Sequence, residues 1–114
     1  MAQPRNDRRR FKRINVRMDV VLKGIDASGR EFFERTEVDS FDQRGARAHT
    51  RFSLTPGTEV EIQLSTETEG KRLRVVWQGE PQSLHSGLVG LEMVDPNDSW
   101  SPATLKAQWE AREF

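Results

Sequence analysis

Five cations stand within six residues, Arg8-Arg9-Arg10-Phe11-Lys12-Arg13, directly ahead of the first run of alternating apolar residues. A guanidinium is a planar fork of donors that grips a phosphate, or the O6/N7 edge of a guanine, in pairs; an ammonium cannot do this. Of the 18 basic residues 14 are Arg, so the chemistry on offer is capture of an anion. Charge alone leaves a second reading open, a solvated basic tail resting on an acidic body. Residues 1–17 carry seven basic residues against Asp7, which makes the segment +6, and the zero net charge of the chain leaves −6 for the rest. A second polar cluster, Asp39-Ser40-Phe41-Asp42-Gln43-Arg44-Gly45, supplies two carboxylates, a hydroxyl and a glycine in one stretch.

Other chemistries are poorly supplied. There is no Cys, hence no disulfide, thiol nucleophile or zinc-thiolate site, and His49 and His85 stand alone without a nucleophile motif or a ligand set around them. No paired carboxylates stand out among the scattered Glu residues. An enzyme, a resident cofactor and a bound metal are therefore not expected.

At 114 residues the chain is sized for one domain. Leu, Ile, Val and Phe contribute 26 residues, enough for a modest core. Apolar runs are far shorter than the roughly 20 residues of a membrane span, and the N-terminus is basic and polar, so no membrane span and a cytoplasmic location are expected.

The elements that must position the two polar clusters read as strands. Over 14–23 Ile14, Val16, Met18, Val20 and Leu22 fall on one face and Asn15, Arg17, Asp19 and Lys23 on the other, the signature of a half-buried strand. Asp26-Ala27-Ser28-Gly29 supplies a turn, and Arg30–Val38 returns with Phe32, Thr36 and Val38 on one side, making a hairpin. A long polar connection, Asp39 to Arg44, then leads to a short third strand at Gly45–His49. Pro56-Gly57 precedes the alternation of Val60, Ile62 and Leu64; Leu73, Val75 and Trp77 alternate next, and Val89, Leu91 and Met93 last. Six short strands without intervening helices predict a small antiparallel barrel, which also hides its edges. Its expected interior includes Val16, Val20, Leu22, Ile62, Val75, Trp77 and Leu91. Ser101 as N-cap and Pro102 at the first helical position open a C-terminal helix over Ala103–Arg112, whose Leu105 and Trp109 share a face that packs on the barrel as a lid.

Arg9-x-x-x-Arg13 ahead of an alternating strand, Gly45-Ala46 opening the third, Leu54-Thr55-Pro56-Gly57 leading into Val60-Glu61-Ile62, Arg74-Val75-Val76-Trp77 closing the fifth and Val89-Gly90-Leu91-Glu92 in the sixth follow one another in an order that resembles the PilZ family, bacterial receptor domains for cyclic di-GMP. The resemblance covers roughly residues 8–95. It implies an all-β, six-stranded antiparallel PilZ-like barrel over residues 14–95, an arginine arm over 1–13 and a C-terminal helix within 96–114. The family's second motif is Asp or Asn, any residue, Ser, two residues, Gly. Here Asp42 stands where the Ser belongs and Ser40 where the Asp or Asn belongs; alternatively Asp39 takes the acidic role with one residue inserted, as a bulge allows.

What the resemblance implies about function follows from ligand chemistry. Cyclic di-GMP is a dianion with two guanines, and Arg9 and Arg13 are the residues to neutralise, pair with or stack on it. Ser40, Asp42 and Gly45 complete the implied site, with Arg8, Arg10, Asp39 and Arg44 as possible additions. The expected protein is a stand-alone cyclic di-GMP receptor that converts messenger binding into a change of surface read by a separate, unidentified downstream protein. The alternative is a degenerate PilZ-like interaction adaptor that binds no nucleotide. Specific nucleic-acid binding is not expected, because the body is net acidic and shows no patterned row of aromatics for base stacking.

Overall fold

The computed structural model describes residues 14–104, with side chains from Arg17 onward. Six strands, β1 (Ile14–Ile25), β2 (Glu31–Asp42), β3 (Gly45–His49), β4 (Glu59–Leu64), β5 (Lys71–Gln78) and β6 (Leu88–Met93), close into a barrel in the order β1-β2-β3-β6-β5-β4. Every neighbouring pair is antiparallel. The alternation that marks each strand is the cause of closure, since one face of every strand is apolar and a single sheet must curl to cover it. Val20, Leu22, Val38, Val60, Ile62, Leu64, Leu73, Val75, Val89, Leu91 and Met93 form that interior, all at most 3% exposed. No helix among the described residues is long and apolar enough to cross a membrane.

The barrel corrects two expectations. The stretch Asp39–Arg44 is not a long connection: β2 runs through Asp42, and only Gln43 and Arg44 turn the chain into β3. Ser40 and Asp42 belong to the outer face, and Phe41 between them enters the core at 0% exposure. Trp77 is not inside. A one-residue irregularity sets Val75 against Leu91 and Trp77 against Gly90, so the extra residue, Val76, turns Trp77 to the outer face, where it is half-buried. Val16, also expected inside, has its side chain outside the described residues.

Loops close the two ends. At one end Asp26 caps the β1–β2 turn: its Oδ1 accepts from Ser28 N, Ser28 Oγ and Arg30 N, while Gly29 takes a positive φ of 88°. Phe52 stacks on Phe32 at 4.7 Å, and Gln78 holds the crossing segment by accepting from Leu54 N and donating to Phe52 O. Inward-facing Glu34 is 4% exposed and accepts from Thr50 Oγ1, Arg51 N and Arg51 Nε, which satisfies a carboxylate where an apolar residue would be expected.

At the other end Trp100, 2% exposed, covers the barrel, its indole N–H donating to Gly45 O at 3.1 Å. Helix α1 opens at Pro102 and is described through Thr104. Ser101 is its N-cap, with Thr104 N donating to Ser101 Oγ, and buried Glu67 accepts from Ser101 N and Thr104 Oγ1. Leu105 and Trp109 lie outside the described residues.

Lys71 and Asp98 tie the start of β5 to this end at 2.9 Å. The ammonium holds the Asp98 carboxyl below 3.8, and the carboxylate raises Lys71 above 10.5. A carboxyl lowered in the folded state contributes stability above its unfolded value and loses it as pH falls through the folded one; the raised amine loses its contribution as pH rises through the folded value. Lys71→Met is expected to cost under about 1 kcal/mol at neutral pH, with the difference shrinking as pH falls below 3.8, as read by urea midpoints over that range.

Candidate functional site

The outer face of β2, β3, β6 and β5 carries one row of paired residues, Ser40, Arg47, Gly90 and Trp77, because Ser40 pairs with Arg47, Arg47 with Gly90, and Gly90 with Trp77. Both ends of the row are bulged. Val38 pairs with Ala48 and Ser40 with Arg47, so Asp39 and Ser40 together oppose one residue of β3; Val76 and Trp77 likewise oppose Gly90 alone. A bulge re-aims adjacent side chains to the same side of a sheet. That is how two sequence neighbours, Asp39 and Ser40, come to sit together beside Arg47.

Asp39 is the electrostatic centre. Its Oδ1 accepts from Arg47 Nε at 2.8 Å, and its Oδ2 lies 3.2 Å from His49 Nε2. Arg47 and His49 alternate with Ala46 and Ala48, which are fully buried, so the short third strand presents two cationic or polar groups outward on an apolar inner face. Ser40 is 2% exposed, and its hydroxyl finds no hydrogen-bond partner among the described residues. A buried hydroxyl left without a partner costs free energy, so it is a natural place for a ligand or solvent atom to bond.

At the far end of the row Trp77 lies across Gly90. A Cβ on Gly90 would run into the indole, so glycine is what lets the ring lie flat on β6. His85 meets the ring edge-on at 6.0 Å. The row thus offers a carboxylate, a guanidinium, an imidazole and an aromatic plane on one surface, with the unpartnered Ser40 hydroxyl buried beneath them, a set that can stack a flat heterocycle and hydrogen-bond its polar edges. Gly90→Ala is expected to lift the indole from the sheet and shift the Trp77 indole N–H resonance, at a stability cost of about 1–3 kcal/mol in thermal or urea unfolding.

The residues expected from the sequence divide into three groups. Ser40 and Asp42 share the outer face of β2, and Asp39 joins them through the bulge. Asp42 Oδ1 also accepts from Arg44 N in the turn. Gly45 is buried, and its carbonyl is held by Trp100, so it anchors the C-terminal segment. Arg44 reaches away along the sheet, Nη2 donating to Met93 O and Asp95 O, and clamps the end of β6. Arg8, Arg9, Arg10 and Arg13 lie outside the described residues. Ile14, which Arg13 directly precedes in sequence, pairs with Phe41, and Asn15 with Ser40, so β1 begins beside this cluster.

Arg47, His49 and Trp77 were missed in the sequence. Two signals bore on Trp77 alone, Gly90 at an outward position of an otherwise regular alternation and the break in alternation at Val75-Val76-Trp77; no local signal marked Arg47 or His49. No group of three or more metal-ligating side chains occurs among the described residues. No family model matches the chain, and neither a curated protein nor a solved structure was found to match it.

Proposed function

We propose that the chain is a PilZ-type cytoplasmic receptor for cyclic di-GMP, non-enzymatic, that signals by changing its surface for a downstream protein. The observation that carries this reading is the bulged outer row, in which Asp39 and Ser40 stand beside Arg47 and an unpartnered buried hydroxyl adjoins the start of β1. The register shift between Val38 and Ser40 supports the alternative in which one inserted residue gives Asp39 the acidic role. In this reading Arg9 and Arg13 neutralise the phosphates and grip or stack on a guanine, Asp39 or Asp42 accepts from a guanine N1–H and N2–H₂ edge, and Ser40 donates to the ligand backbone. Trp77 supplies a plane at the other end of the row.

One observation favours the adaptor reading instead. Asp39 is already bonded by Arg47 and approached by His49, and Asp42 already accepts from Arg44 N, so both carboxylates have partners to give up or share before a guanine edge can be met. Calorimetric titration with cyclic di-GMP, with GTP and GMP as controls, separates the two. Saturable heat for cyclic di-GMP alone supports the receptor. Equal heats for all three nucleotides reduce the site to general anion attraction, and no heat from a folded protein leaves the adaptor.

A further inference from the structure

The barrel closes, yet β2 is longer than its partner on one side. Its ladder with β3 ends at the pair Val38 and Ala48, and no main-chain hydrogen bond outside the strand ladders reaches Glu31–Glu37 among the described residues. Asp26 N donates to Arg30 O at 2.8 Å, which sets the phase of the β1–β2 ladder. Gly24 with Phe32, Leu22 with Glu34 and Val20 with Thr36 exchange hydrogen bonds, and the alternate residues Glu31, Phe33 and Arg35 turn their N–H and C=O groups away from β1. Ser65 N donating to Asp19 O on the other side of β1 fits the same phase. The segment after β3 does not fill this edge: it meets the inward residues, Phe52 on Phe32 and Thr50 and Arg51 on the Glu34 carboxylate.

The outward side chains along this edge read Glu31, Phe33, Arg35. Phe33 is 59% exposed, and Ile25 on the neighbouring strand, facing the same way, is 55% exposed. Exposed edges in stable proteins are normally blunted or paired, and a large apolar residue at the centre of one invites pairing. The charge order is self-complementary. If a second copy is laid antiparallel about a two-fold axis at Phe33, Phe33 meets Phe33, and Glu31 meets Arg35 on both sides of the axis. Those three positions are also the ones whose main-chain groups point outward, so register and hydrogen-bond phase agree.

We propose that the Glu31–Arg35 edge of β2 pairs with the same edge of a second copy of this chain, giving an isologous dimer joined by a continuous sheet. The occupant is a second copy because no charge in the pattern is left unmatched by its own reverse. This edge lies at the β1–β2 turn end of β2 and Asp39–Asp42 lie at its other end, so its test is separate from that of nucleotide binding.

Sedimentation equilibrium over a range of protein concentrations, with circular dichroism to confirm the fold, tests it through charge reversal. The unaltered chain is expected to dimerise reversibly. Glu31→Arg or Arg35→Glu alone opposes like charges twice across the axis and is expected to raise the dissociation constant about tenfold or more. Mixing the two variants in equal amounts matches every pair again and is expected to restore association as a heterodimer. A monomeric unaltered chain, single reversals that associate as before, or a mixture no tighter than its components each overturns the proposal; the first leaves the edge to an extended segment of another protein.

Discussion

Trp100→Ala is expected to cost the fold about 3–5 kcal/mol, the range for truncating a large buried aromatic. Trp100 is the largest fully buried side chain among the described residues; it meets Phe41 edge-on at 6.4 Å, and its indole N–H is the partner of the Gly45 carbonyl. Removing it opens a cavity over Phe41 and strips that bond from the carbonyl in one step. Because Phe41 lies between Ser40 and Asp42 and Gly45 opens β3, the damage is expected at the candidate site as well as in global stability. Trp100→Phe keeps most of the packing and loses the hydrogen bond, so it should fall well short of the alanine variant. Urea unfolding of the three proteins checks this, and a loss below about 1 kcal/mol for the alanine variant would show that the C-terminal segment is an ornament on a self-sufficient barrel.

The second large effect is on ligand affinity and rests on the receptor reading. Arg9→Ala and Arg13→Ala are each expected to weaken cyclic di-GMP binding at least about tenfold, since a charge-assisted hydrogen bond is worth about 1.5–3 kcal/mol. Arg5→Ala should change little, although Arg5 and Arg9 have the same spacing as Arg9 and Arg13, because only the latter pair stands at the family's distance from β1. Titration calorimetry at two salt concentrations reads both points. Equal losses at all three positions, together with steep salt dependence, would mean that the arm acts as diffuse charge.

The strands were legible because their interior apolar residues recur at every second position. Val20 and Leu22, Val60 to Leu64, and Val89 to Met93 read directly as one face and are buried as one face. Bulges erased that signal. An inserted residue leaves no mark in composition, so Asp39–Asp42 looked like a connection although Phe41 continues the interior, and Trp77 was carried inward by extending the alternation of Leu73 and Val75 one step too far. Glu34 shows the complementary failure: it occupies an interior position that hydropathy assigns to no charged group, and only its bonds to Thr50 and Arg51 explain it. Ser40, Asp42 and Asp39 were found by motif, whereas Arg47, His49 and Trp77 join them only through strand pairing across β3, β6 and β5. Contacts between distant strands are set by register, which the local sequence does not carry.

In the receptor reading a dianionic cyclic dinucleotide binds the outer face along the row from Asp39 to Trp77. A titration of isotopically labelled protein with cyclic di-GMP, followed by two-dimensional amide and indole nuclear magnetic resonance, reads the binding surface directly. Progressive shifts at Asp39, Ser40, Asp42, Arg47 and Gly90, and at the Trp77 indole N–H, are the predicted result, with the Glu31–Arg35 edge unmoved. A spectrum unchanged at saturating nucleotide, or shifts confined to residues away from that row, would contradict it.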